Sequence, residues 1–229
     1  MKKLFALAIA VMATINASAQ VEEGDWSVTP KFGVSIADMT GKLLDERKAE
    51  GTYDATLRPI TTFTGGVEFQ YGLADQVGLS FGLMYARQGS KTKDDLFRVS
   101  MDYFNIPIMV NVYPIRNFGL SVKAGVQVGF LGHKAMKIDG REYNADYVRT
   151  VGINPKWGLV PVYVESELSK KFNKVDFSIP LAVSYELYNF TVEARFNLGL
   201  VKAMKDDPEA SKNRVWQFTL GYKIPLGDD

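Results

Sequence analysis

The chain has 229 residues, with 27 Lys and Arg against 26 Asp and Glu, one histidine and no cysteine. Balanced charge gives no basic excess for a nucleic-acid partner. The absence of cysteine excludes a disulfide framework and thiol chemistry, and a lone histidine makes a zinc site unsupported. A mean hydropathy of −0.08 is too polar for a helical membrane protein, and after the N-terminus no apolar run is long enough for a spanning helix.

The N-terminus reads as a secretory signal. Lys2 and Lys3 precede an apolar run from Leu4 to Ile15, and Ala17-Ser18-Ala19 is a small-x-small cleavage site. The expected organisation is a signal peptide over 1–19 and one domain over 20–229. Residues 1–19 hold two lysines and no acids, so the mature chain carries a formal charge of −1.

Eight alternating stretches follow: Trp26 to Ala37, Ile60 to Leu73, Val77 to Arg87, Val99 to Tyr113, Phe118 to Leu131, Val175 to Leu187, Phe190 to Leu200 and Arg214 to Leu226. Each puts apolar residues at every second position, the period of a strand. In Phe190 to Leu200, for example, Phe190, Val192, Ala194, Phe196, Leu198 and Leu200 oppose Thr191, Glu193, Arg195, Asn197 and Gly199. In a soluble sheet the apolar face is a core. In a membrane barrel it faces lipid, and the polar face fills the inside.

Three observations favour the barrel. Short links at 74–76, 114–117 and 188–189 alternate with long ones, Asp38 to Pro59, Gln88 to Arg98, Gly132 to Lys174 and Lys202 to Asn213. This matches short periplasmic turns and longer outer loops. The stretches reach or exceed the ~9–11 residues needed to cross a bilayer on a tilt. The polar face is built from Gly, Ser, Thr, Asn and Gln with charges of both signs, which suits a narrow interior where opposite charges pair. The expected fold is all-β: an eight-stranded antiparallel transmembrane β-barrel, an up-and-down meander. A soluble sandwich or lipocalin-like barrel is the alternative.

The expected lumen-facing charge network is Glu68, Lys123, Asp176, Glu186, Glu193, Arg195 and Lys223. Tyr103, Gln70, Gln127 and Asn105 add bulk, and eight strands leave an interior that side chains just fill. A plugged lumen is therefore expected over a porin-like channel for ions or small solutes. Trp26, Tyr85, Tyr113, Tyr185 and Trp216 are expected at the membrane interfaces.

Chemistry-bearing patterns are sparse. His133 sits where the fifth strand meets a long link, and a rim hydrolase or acyltransferase would need Ser166, Ser169 or Ser121 and Asp139 or Glu142 to converge on it. No spacing brings them together, so no catalytic residue is assigned. Asp94, Asp95, Asp206, Asp207 and Glu209 form acidic loop clusters without calcium-loop spacing, and no metal site is assigned. No phosphate loop or dinucleotide fingerprint occurs, so no cofactor is implied. Lys91, Lys93, Arg98, Lys134, Lys137, Arg141, Lys170, Lys171 and Lys174 would lie near the outer rim, within reach of outer-membrane lipids and lipopolysaccharide. The loops would be open to an extracellular or periplasmic protein partner.

Four segments resemble strands of the PorT-like outer-membrane β-barrel family of Bacteroidetes. "DYFNIPIMVNVYP" (Asp102 to Pro114) is similar to its Y-x-x-I-P strand, here Tyr103, Ile106 and Pro107. "ARFNLGL" (Ala194 to Leu200) is similar to its A-R-Y-N-x-G-L strand, and "TLGYKIPL" (Thr219 to Leu226) to its closing strand. "SVKAGVQVGFL" (Ser121 to Leu131) is similar to its fifth. The resemblance implies an eight-stranded outer-membrane barrel and, by analogy alone, an accessory role in secretion. The closing strand departs from the pattern. It ends Ile224-Pro225-Leu226-Gly227-Asp228-Asp229, so Tyr222 would supply the aromatic assembly signal. "WGLVPVYVES" (Trp157 to Ser166) reads either as strand extending above the membrane or as a shift in the sixth strand's register.

Overall fold

The computed structural model describes residues 22–40, 57–92, 97–115, 118–138, 141–144, 149–154, 158–163, 173–202 and 212–226. They form β1 (Trp26–Thr40), β2 (Leu57–Ala74), β3 (Val77–Thr92), β4 (Phe97–Val112), β5 (Leu120–Ile138), β6 (Arg141–Asn144), β7 (Arg149–Asn154), β8 (Gly158–Tyr163), β9 (Val175–Leu187), β10 (Phe190–Lys202), β11 (Lys212–Tyr222) and β12 (Ile224–Pro225).

The order β1-β2-β3-β4-β5-β9-β10-β11 is a meander of antiparallel neighbours, and β11 returns to pair with β1 from Lys31↔Gly221 to Thr40↔Lys212. β12 carries that pairing on, Ser27 against Pro225. The sheet is thus a closed barrel of eight strands without an open edge, the arrangement that satisfies backbone groups in a bilayer. β6 pairs antiparallel with the end of β5, from Ala135↔Asn144 to Ile138↔Arg141, and β7 and β8 form a separate two-stranded sheet.

The barrel is apolar outside and polar inside. Phe63, Phe104, Val126, Leu181, Val192 and Trp216 are among its exposed large residues, whereas Ser35, Thr64, Gln127, Glu193 and Arg195 are buried. Strand parity causes this: on β11 the burial alternates at every residue, with Trp216, Phe218 and Leu220 out and Val215, Gln217 and Thr219 in. An exposed band of aromatic and branched side chains is stable against hydrocarbon, not water. Leu181→Arg, on this band, is therefore expected to destabilise the barrel by about 2–4 kcal/mol if it lies near the bilayer midplane. Urea titration in phospholipid vesicles measures it.

At Gly125 the backbones of β4 and β5 approach closely. A Cβ at Gly125 would run into the Ile108 carbonyl oxygen and come 2.6 Å from the Met109 Cα, and these are backbone atoms that cannot swing away. Gly125→Val should cost at least about 1–3 kcal/mol by overpacking. Ala124→Val, on the lipid face next to it, should leave the urea midpoint nearly unchanged.

Three expectations need correction. Gln88 to Arg98 is mostly not a loop, because β3 and β4 continue as paired strands as far as Lys91↔Arg98. Tyr113 is not a rim aromatic. It shares parity with Asn111, turns inward, and receives a hydrogen bond on its hydroxyl from Gln70 Nε2 at 3.0 Å. Within Trp157 to Ser166, Gly158–Tyr163 is β8 of the separate hairpin, and β9 keeps the register of the sixth alternating stretch.

Candidate functional site: a buried ion cluster

The interior changes character from end to end. Nearest the short turns, Lys223 Nζ lies 3.1 Å from Glu186 and 5.9 Å from the Tyr113 ring centroid, and Ser121 and Ser184 share a 2.6 Å hydrogen bond.

Next comes a five-residue ion cluster. Lys31 on β1 is 2.7 Å from Glu68 on β2 and 2.8 Å from Glu193 on β10. Lys123 on β5 reaches the same two carboxylates at 2.8 and 2.9 Å. Arg195 on β10 donates through Nη2 to Glu68 at 3.0 Å, and lies 2.6 Å from Glu193. Each carboxylate therefore faces all three cations, and the charges are drawn from four strands around the wall. All five side chains are at most 5% exposed. They span the lumen at this level. Three cations against two carboxylates leave a net charge of +1, and Arg195 Nη1 has no acceptor among the described residues.

Beyond the cluster lie neutral bridges: Gln217 to Thr64, Asn197 to Gln217, and Gln127 to Ser178. Towards the end with the long connections, Ala37, Ile60 and Val215 form a small buried apolar group across β2, β1 and β11.

Of the expected network residues, Glu68, Lys123, Glu193 and Arg195 meet in the cluster, and Glu186 and Lys223 pair below it. Asp176 is also buried. It lies far along β9 from Ala182, the residue opposite Arg195, and joins neither group. Lys31 is the cluster member absent from the expected network. Its signal is present in the sequence, since it falls on the polar parity of β1 between Thr29 and Ser35.

His133 lies opposite Asp102 at a bulge. The Asp102 carboxylate is taken by Arg87, at 2.6 and 3.0 Å, and by the Tyr85 hydroxyl at 2.9 Å. Ser121 is twelve residues along β5 from His133, roughly 40 Å of strand, so the two do not converge. Ser166, Ser169, Asp139, Lys93, Lys170, Lys171, Asp94, Asp95, Asp206, Asp207 and Glu209 lie outside the described residues. Among the described residues no group of three or more His, Cys, Asp or Glu side chains gathers to hold a metal ion.

A closed eight-stranded wall with lipid-facing apolar residues and a buried polar interior agrees with the family comparison, in which the model for the outer membrane protein beta-barrel domain matches residues 18–205. The chain belongs to that family. It is an outer-membrane barrel, embedded in the lipid bilayer. No curated protein matches it significantly. Among solved structures it is similar to Neisserial surface protein A, with 8% identity and a TM-score of 0.46 over 88% of this chain and 99% of that one. Outer membrane protein OprG of Pseudomonas aeruginosa shows 14% identity and a TM-score of 0.42 over 92% and 99%. Ail of Yersinia pestis shows 14% identity and a TM-score of 0.41 over 88% and 100%. No residue's role is carried over at these levels.

Proposed function

We propose that the protein is a non-catalytic structural or interaction barrel whose lumen is plugged by its own side chains. It is exported through a signal peptide over 1–19. It serves as an outer-membrane anchor that displays the segments 41–56 and 139–174 at the cell surface. The ion cluster carries this reading: six ion pairs among Lys31, Glu68, Lys123, Glu193 and Arg195 fill the middle of the lumen. A solvated pore lining has no need to neutralise its charges against one another so completely.

The residues of the PorT-like resemblance support a structural reading. Tyr103 and Pro107 turn inward and Ile106 outward. In "ARFNLGL", Arg195 enters the ion cluster, Asn197 bridges to Gln217, and Gly199 lies against the Asn213 carbonyl. These positions build and fill a barrel, so a secretion-accessory role draws no support from them beyond analogy. Lys91, Arg98 and Lys174 near the long connections suit contacts with lipopolysaccharide phosphates.

The test compares unboiled with boiled outer-membrane fractions on an SDS gel. A closed barrel resists SDS when cold and shifts in mobility on heating. Recovery in the soluble periplasmic fraction with no shift overturns the reading.

A further inference from the structure

Asp176 is a buried carboxylate with no cation beside it among the described residues, although every other buried acid of the interior is paired. It is the second residue of β9 and lies at the end of the barrel with the long connections. Asn105, Gly129 and Asp176 form one row across β4, β5 and β9. Gly129 leaves that row open: a Cβ there would lie 2.6 Å from Asn105 Oδ1 and 3.5 Å from both the Asp176 Cβ and the Tyr103 ring. The Asn213 carboxamide, on the second residue of β11, faces both the Tyr103 hydroxyl and the Asp176 carboxylate. Neither the oxygen nor the nitrogen of the Asn105 side chain closes a hydrogen bond. All four residues are more than nine-tenths buried.

We propose that Asp176, Asn105, Asn213 and Tyr103 form a binding site for one alkali-metal cation at the long-connection end of the lumen. A carboxylate, two carboxamide oxygens and a phenol oxygen are hard oxygen donors, the set preferred by hard cations. A single carboxylate matches a single positive charge, and among the described residues no group of three or more acids or histidines gathers there to hold a divalent ion. Without such an ion, the described residues leave the Asp176 carboxyl either charged with no cation beside it or neutralised by a proton, and both polar atoms of Asn105 stay unmet. The ion cluster deeper in the lumen carries the opposite excess, +1. It therefore repels a cation that has reached Asp176, and the site is a terminus, not a step in a conduction path.

The full barrel, refolded in zwitterionic detergent at fixed ionic strength, is heated in NaCl, in KCl and in N-methyl-D-glucamine chloride, whose cation is too large to enter. The wild type is expected to melt about 3–6 °C higher in an alkali salt at roughly tenfold excess over its dissociation constant. Asp176→Asn and Asn213→Leu are each expected to lose that difference. The sodium-23 line of the wild type should broaden saturably and sharpen when KCl is added, a readout that stands even where a variant fails to fold. Equal melting in all three salts, a salt difference retained by Asp176→Asn, or a sodium line unaffected by KCl overturns the proposal. Buried water would then be what satisfies the Asn105 carboxamide.

Discussion

Glu193→Ala is expected to destabilise the barrel by about 3–5 kcal/mol, the cost of leaving a buried charge without its partner. The cluster's charge balance makes the effect asymmetric. Glu193 contacts Lys31, Lys123 and Arg195, so its loss raises the buried charge from +1 to +2 and leaves Glu68 alone to face three cations. Lys31→Met does the reverse. It brings the cluster to neutrality, keeps an aliphatic chain of similar length, and leaves each carboxylate two cations, Lys123 and Arg195. Its cost should be less than half that of Glu193→Ala. Arg195→Ala should fall between, since it relieves the excess charge but also opens a void where one of the largest buried side chains stood. Urea unfolding in lipid vesicles, read by tryptophan fluorescence and by the cold-gel mobility shift, ranks the three. Equal losses for Glu193→Ala and Lys31→Met would mean that packing, not charge balance, dominates at this level.

Strand parity makes most of the wall legible in the amino-acid sequence. The period of two in Phe190 to Leu200 states which side chains share a face, and the alternating link lengths with the small, mixed-charge make-up of the polar faces state which side meets lipid. Parity also decides where other signals conflict. Tyr113 reads as an interface aromatic by residue type, yet its position next to Val112 on β4 turns it inward to Gln70. What parity cannot supply is height and partnership. Lys31 and Glu193 are 162 residues apart and meet only because β11 closes on β1 with a particular register. Asp176 has the same inward parity as Glu186 on β9, yet it sits near the opposite end of that strand from Glu186 and its partner Lys223. The continuation of β3 beyond Arg87 and of β4 from Phe97, paired as far as Lys91↔Arg98, is hidden for a related reason. Strands that pair above the bilayer need no apolar face, so alternation fades while the hydrogen-bond ladder continues.

In planar bilayers the wild-type barrel is expected to give no reproducible conductance steps, and a triple variant, Glu68→Ser, Lys123→Ser and Arg195→Ser, is expected to give them. The three substitutions remove one acid and two bases, so Lys31 and Glu193 remain as a neutral pair at 2.8 Å, and the loss of fold that would follow from stranding one charge is avoided. They also exchange three long side chains for short hydroxyls at the level of the ion cluster, opening a water path in a barrel of this strand number. The cold-gel shift must persist in the triple variant, so that conductance reports an open lumen and not a damaged wall. Steps of equal size in wild type and variant would show that the cluster does not close the lumen and would favour the channel reading. A folded but silent triple variant would move the closure elsewhere. The remaining barriers are the Glu186–Lys223 pair with Tyr113 at one end and the Ala37, Ile60 and Val215 group towards the other. The apolar group is the harder of the two for an ion to pass, since it offers no polar atom to replace lost hydration.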